Sequence, residues 1–210
     1  ARRTSATLSL LFLLLGGAIG FVGLFVLRHS QAMARQDAEE ALRAIADLKV
    51  AQIVNWREER LYDNRFFSQA AFVARDVAAL LAQPSSPQVR GDILHWLTLV
   101  RGESDRYEQV ALFDAQGREL LAAAPWNQPP GRLVQEHVAT TVRDGRVWIT
   151  DLHRAEADGP IHIELLCPIF PPAPAPATQP MAVLLLRMDP HRFLYPLIQS
   201  WPTPSPTAET

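Results

Sequence analysis

An α+β fold, with a long N-terminal helix packed on a five-stranded antiparallel sheet, is predicted by three observations. The first is an uncharged apolar run, Leu8 to Leu27, near the start of a proline-free stretch. The second is the position of the 17 prolines, all at or after Pro84, which divides the chain into an uninterrupted half and a half punctuated by turns. The third is a change of hydrophobic period at Gln109, from helical spacing to strand-like runs separated by turn residues.

The apolar run has 20 residues, 15 of them apolar. At 1.5 Å rise per residue it reaches about 30 Å, the hydrocarbon thickness of a bilayer. Arg2 and Arg3 precede it; Arg28 and Arg35 follow and are soon joined by Asp37, Glu39 and Glu40. The positive-inside tendency therefore places the N-terminus in the cytoplasm and everything after residue 28 outside the inner membrane. Ala32-Met33-Ala34 has the small-x-small form of a signal-peptidase site, but the apolar run is too long for a signal h-region, so residues 1–28 read as an uncleaved transmembrane anchor. Gly16 and Gly20 have the spacing of close helix approach and are also ordinary membrane-helix glycines.

Residues 29–83 read as a helical rod. Leu42, Ala46, Lys49, Ile53, Trp56, Arg60, Asp63, Phe67, Ala70, Ala74, Val77 and Leu81 recur at intervals of four and three, one face of a long helix or of two near-collinear ones with a break at Asp63-Asn64. Lys49, Arg60 and Asp63 interrupt the stripe and read as snorkelling side chains with an i,i+3 ion pair. A stripe of this spacing seeks a partner, and a parallel homodimer through residues 31–60 is expected. Ser86-Pro87, an N-cap followed by a first-turn proline, opens a third helix that ends near Gly102.

Val110 to Asp114 and Arg118 to Leu121 read as two strands joined by the turn Ala115-Gln116-Gly117, in which Asp114 serves turn geometry. Arg132 to Val142 returns to helical spacing. Val147 to His153, Ile161 to Ile169 and Met181 to Met188 read as three further strands, the last two separated by a polyproline-like loop, Pro171 to Pro180. Asp189-Pro190 starts a final helix through Leu197, and residues 201–210 are a linker. The absence of an initial methionine and the open linker suggest a sequence cut at both ends.

Composition narrows the function. A net charge of −2 argues against a nucleic-acid partner, whose phosphates require a cationic excess. One cysteine, Cys167, excludes an intrachain disulfide and any multi-cysteine metal site; among Leu165, Leu166 and Ile169 it reads as a buried thiol. Neither a phosphate-cradling glycine loop nor a nucleophile elbow is present, and Asp105 and Glu108 beside Tyr107 read as a loop edge.

Two helical blocks, two strands, a helix and three strands outside a membrane resemble the Cache sensor domains, extracytoplasmic relatives of the PAS fold. The resemblance covers about residues 30 to 200 and rests on Lys49, Gln52, Ile53, Trp56, Glu59, Arg60 and Asp63, on Leu112-Phe-Asp-Ala-Gln-Gly117, and on Asp189-Pro190. It implies the membrane-distal module of a double Cache domain over residues 84–200. It further implies a truncated proximal module after Trp201 and a cytoplasmic histidine kinase or diguanylate cyclase. The amino-acid-binding motif of the family is only loosely echoed by Tyr62, Arg65 and Phe66.

One constellation could carry chemistry. If strands around His153 and His162 pair so that partner numbers sum to 315, Asp151, His153, His162 and Glu164 share one face and Trp148, Thr150, Ile163, Leu165 and Cys167 the other. The first set suits a small polar ligand or a divalent metal, or is the solvated outer face of the sheet. Together with Arg118 and with Trp126 and Trp148 as apolar walls, these residues are the expected small-molecule site, on a sheet face left free by the long helix. No metal or other cofactor is expected. The reading is thus a non-catalytic extracytoplasmic sensor, most simply of a histidine kinase; a membrane-tethered metal-dependent enzyme, a cyclase sensor and a ligand-free structural module are its rivals.

Overall fold

Helical spacing without a proline carries the chain from Arg2 to Gln69 as one helix, α1. The computed structural model describes residues 2–102, 107–126, 130–154, 159–172 and 179–201, with the side chains of 2–12, 63–66, 68 and 69 excepted. The expected loop at Asp105, the centre of the proline-rich loop at 173–178 and the tail from 202 lie outside these residues. The chain divides into two units, residues 1–51 and 52–210, with α1 running through the boundary.

In the first unit the apolar side chains from Leu13 to Leu27 are exposed, Leu13 at 75% and Val26 at 58%. A helix bearing so much uncovered apolar surface is long and apolar enough to cross a membrane.

In the second unit Ile53, Trp56, Leu61 and Phe67 of α1 pack on the core, whereas Leu42, earlier on the same stripe, is exposed. Arg60 is buried and its guanidinium lies 3.3 Å from Glu59. The helix does not break at Asp63-Asn64. It passes both and stops at Ala70, whose extended backbone (ψ 110°) precedes α2, Ala71–Ala82. Asp and Asn are tolerated in a helix interior, so their turn tendency is a weak stop signal. Helix α3, Pro87–Gly102, starts at the expected proline and buries Ile93 and Leu97.

Strands β1 (Gln109–Asp114) and β2 (Glu119–Ala122) form the expected hairpin. Gly117 adopts a left-handed φ of 79°, and Asp114 Oδ1 accepts the N–H groups of Gln116 and Arg118, so Asp114 is indeed a turn residue. Helix α4, Arg132–Asp144, ends at Gly145, also left-handed. Strands β3 (Trp148–Ile149), β4 (His153–Arg154), β5 (Ile161–Ile169) and β6 (Ala182–Met188) follow, then the short helix α5, Leu194–Gln199. The sheet is antiparallel, in the order β2-β1-β6-β5-β3, with β4 also on β5.

Six strands appear in place of five because the strand expected over 147–153 is divided by a bulge. His153 pairs with His162, the expected sum of 315, but Trp148 pairs with Leu166 and Ile149 with Leu165, a sum of 314. Thr150 causes the slip. Its N–H donates to the carbonyl of Glu164, and its hydroxyl accepts the N–H of Glu164 in place of a backbone carbonyl. Asp151 and Leu152 then stand opposite the single residue Ile163, the count of a β-bulge.

Alternation sorts the central strands onto two faces. Val110, Leu112, Ile163, Leu165, Cys167, Leu184 and Leu186 meet α2 and α3 in the larger core. Ala111, Phe113, Leu166, Val183 and Leu185 meet Val134 and Val138 of α4 in a second core. The second face is therefore covered, neither free nor a solvated exterior as the sequence suggested. Each fully buried Leu or Phe contributes about 1.5–3 kcal/mol, so an apolar layer closes each face of the sheet, and the one containing Val134 and Val138 holds α4 on it.

Cys167 is fully buried opposite Leu184, and burial pushes its thiol pKa well above the ordinary value. The folded chain should therefore resist thiol reagents and be labelled once unfolded in urea. Rapid labelling of the native chain, followed by mass spectrometry, would contradict the packing.

Candidate functional site

At one end of the α4 face the alternation that elsewhere places Ala111, Leu185 and Leu166 inward places polar residues instead. Gln109 on β1 pairs with Arg187 on β6, Arg187 with Glu164 on β5, and Glu164 bonds to Thr150 beyond β3. These four form a polar row across the sheet, and all four are buried.

Glu164, 0% exposed, is its centre. Its Oε1 accepts from Arg187 Nη2 at 2.7 Å and Nε at 3.1 Å. Its Oε2 lies 3.3 Å from His137 Nδ1 and 3.7 Å from His153 Nε2. Burial raises the pKa of this carboxyl, but the His137 hydrogen bond and the Arg187 charge outweigh burial and hold it below the ordinary carboxylate value. His162 is also buried. Its pKa is lowered by burial and then by Arg187, against the opposing pull of Glu108 and Glu164. Its Nδ1 lies 3.3 Å from Glu108 Oε2, yet has no hydrogen bond of proper geometry among the described residues.

Two cavities open on either side of this centre. The first, about 360 Å³, is lined by Arg101, Gln109, Trp126, His162, Arg187 and Arg192, with Glu108 as its carboxylate. Trp126 donates from Nε1 to Glu119 at 2.6 Å, and its ring lies 4.7 Å from the Arg187 guanidinium carbon. The second, about 350 Å³, is lined by His137, Thr140, Trp148, Thr150, Asp151 and His153. Glu164 joins them, since it bonds to Arg187 in the first and to His137 in the second.

Of the expected site residues, Asp151, His153 and Trp148 therefore come together in the second cavity, and Trp126 and His162 in the first, with Glu164 between. Trp148 and Asp151 were expected to oppose each other across the sheet, and the bulge removes that conflict. Arg118 belongs to neither cavity. It is an exposed turn residue paired with Asp114 at 2.7 Å, at the other end of β1 from Gln109. Sequence reasoning missed Arg187 and His137. An arginine inside Leu184-Leu185-Leu186-Arg187-Met188 is the signal that could have found the first. His137 sits one position before Val138 on the packing face of α4, and only tertiary structure shows what it meets.

Removing one member of a buried pair strands the other, so Glu164→Leu should cost about 3–5 kcal/mol in a denaturant titration. The double variant Glu164→Leu with Arg187→Met should recover most of it; equal losses in the single and double variants would refute the pairing. Acidification should also destabilise the domain. Both His162 and Glu164 have folded pKa values below their unfolded ones, about 6.5 and 4.3, so the unfolded chain binds protons first and stability falls below each. A loss between pH 7 and 5.5 that persists undiminished in His162→Gln would contradict the first assignment.

No family model matches the sequence, and no curated protein matches it. Solved structures match the fold. The Vibrio cholerae histidine kinase DctB sensor domain superposes with a TM-score of 0.56 at 12% identity, over 79% of this chain and 60% of that one. A domain of a sensory box/GGDEF family protein from Vibrio parahaemolyticus gives 0.53 at 14% identity, over 78% and 64%. The extracellular domain of the histidine kinase candidate vpHK1S-Z8 gives 0.53 at 14%, over 79% and 61%. This chain thus spans a little over three fifths of the domains it matches, and at such identities the likeness establishes a shared fold: the α+β architecture of bacterial sensor domains, in keeping with the Cache resemblance.

Proposed function

We propose that the chain is the extracytoplasmic ligand-sensing region of a membrane-anchored signalling receptor of the histidine kinase type, and that these 210 residues perform no catalysis. The observation that carries this reading is the pair of polar cavities on the α4 face of a sensor-type fold, linked by one buried carboxylate. Three guanidiniums and one carboxylate line the first cavity, with Trp126 as an apolar wall. That balance suits a small metabolite carrying a carboxylate or similar anion. Occupancy of a cavity would favour one packing of α4 on the sheet, a population shift, and α1, unbroken to Arg2, would carry the difference to the bilayer. The domain limits 1–28, 29–83, 84–200 and 201–210 belong to the same proposal.

Membrane attachment is supported by the uncovered apolar stretch of α1, and pairing of two chains by the exposed Met33, Leu42, Leu48, Val50 and Val54. Alkaline phosphatase fused after Trp201 should be active and β-galactosidase at the same point inactive; the reverse pattern sinks both the orientation and the sensor reading. Single cysteines placed along residues 31 to 60 should crosslink between chains with helical periodicity, and uniform failure in membranes would reject the dimer. In a thermal-shift screen of small carboxylic acids, at least one should stabilise the wild-type chain. Arg101→Gln should remove that stabilisation while changing the unliganded stability by less than about 0.5 kcal/mol, since Arg101 is exposed. An undiminished response would take the anion site away from the first cavity.

A further inference from the structure

The second cavity has a feature that an anion-binding cleft does not explain. His137 from α4, His153 from β4 and Glu164 from β5 each direct a ligand atom toward one point, and these atoms all lie within 4.8 Å of one another. The two imidazole rings stand edge to face with centroids 5.3 Å apart.

Hydrogen bonding fixes the tautomer of His153. Its Nδ1 is 3.0 Å from the carbonyl oxygen of Asp151, which can only accept, so in the neutral ring Nδ1 carries the proton and Nε2 presents a lone pair. That Nε2 is buried, has no hydrogen-bond partner among the described residues, and faces the Glu164 carboxylate at 3.7 Å. Two acceptors turned toward each other in a buried site are unfavourable unless a cation lies between them. A proton shared over 3.7 Å would not make a hydrogen bond of ordinary length. An imidazole whose far nitrogen is fixed by a backbone carbonyl is also the usual outer-shell arrangement of a metal-ligating histidine.

Glu164 fits the same role. Arg187 occupies Oε1 and leaves Oε2 directed at the two imidazoles, so the carboxylate is oriented as a one-oxygen ligand. A tetrahedral ion with bonds of about 2.0–2.2 Å requires its ligand atoms about 3.3–3.6 Å apart. The Glu164 oxygen already lies 3.3 Å from one imidazole nitrogen and 3.7 Å from the other. His137 meets Glu164 through Nδ1 and is partly exposed, so it can move its proton to Nε2 and release Nδ1 to an ion.

We propose that His137, His153 and Glu164 form a binding site for a divalent transition ion of the zinc class, with a fourth position open to the cavity bordered by Trp148 and Asp151. Two neutral imidazoles and a carboxylate are the borderline ligand set that such ions favour over magnesium or calcium. Within the sensor reading, on which the use of the site but not its existence rests, the stimulus in this cavity is the ion itself or a metabolite that completes its coordination.

The test uses the full chain in nanodiscs, stripped with chelator and titrated with Zn²⁺ or Co²⁺ alone. Expected are one ion per chain, a higher unfolding temperature with Zn²⁺, and visible absorption from Co²⁺ in a four-coordinate site. His137→Gln and His153→Gln should each weaken binding at least about tenfold, the scale on which even outer-shell losses act. His191→Gln, at the exposed turn after β6, should leave the affinity unchanged. Should a histidine variant fail to fold, acylation of the wild-type chain with diethyl pyrocarbonate supplies the answer: bound Zn²⁺ should protect His137 and His153 and leave His191 reactive. No ion bound, binding retained in both His137 and His153 variants, or no protection of these two side chains would overturn the proposal. A chain that binds no ion yet is still stabilised by a small carboxylate through Arg101 loses the metal site and keeps the sensor reading.

Discussion

Glu164 and Arg187 are the constraint around which the rest of this domain is arranged. Both sit on neighbouring interior strands, at one end of the α4 face, and both are almost completely removed from water. A buried ion pair gains little over a hydrophobic pair of the same volume, because desolvation of both charges offsets their attraction. Stability alone therefore does not account for its presence. Here the carboxylate satisfies an arginine of one cavity with one oxygen and meets the imidazoles of the other with the second. Arg187 and His153 are held in place by the strands that carry them and His137 by α4, so the geometry is set by sheet register and by the packing of α4.

Under the proposed sensor reading, that arrangement would give the fold a means of reporting occupancy. Helix α4 is fastened to the sheet by two kinds of contact, the apolar layer of Val134 and Val138 and the polar contact of His137 with Glu164. The apolar contacts are indifferent to what fills the cavities. The polar one is not, since a ligand that engages Arg187 or the imidazoles competes for the same carboxylate. Two packings of α4 separated by a few kcal/mol are all that a population shift requires.

Most of the architecture was legible in the sequence because it follows from periodicity. The proline-free stripe, Ser86-Pro87, the Asp114 turn and the apolar runs of β5 and β6 each carry a local signal stronger than its competitors. The site was legible only in part. His153 stands opposite His162 because the register there is the one that alternation suggests, whereas Asp151 falls in the bulge and His162 lines the other cavity. The side of the sheet taken by Trp148 was not legible, because it depends on a hydroxyl of Thr150 standing in for a carbonyl, and no pattern of apolar residues encodes that substitution. His137 and Gln109 were missed for the same reason: each is ordinary in its own element and becomes part of the site only where α4 and β1 meet the sheet. The covering of the second face by α4 could have been inferred from Val134, Val138 and Thr141, spaced four and three, but a short helix with that stripe does not say which surface it covers.

The central claim is that this domain senses on its α4 face and reads occupancy through Glu164. Amide hydrogen exchange of the full chain in nanodiscs, with and without the small carboxylic acid that stabilises it most, tests the claim directly. The account predicts slowed exchange concentrated in α4 and in β5 around Glu164, with α2 and α3 unchanged. Protection confined to α2 and α3, with α4 exchanging at its unliganded rate, would contradict it.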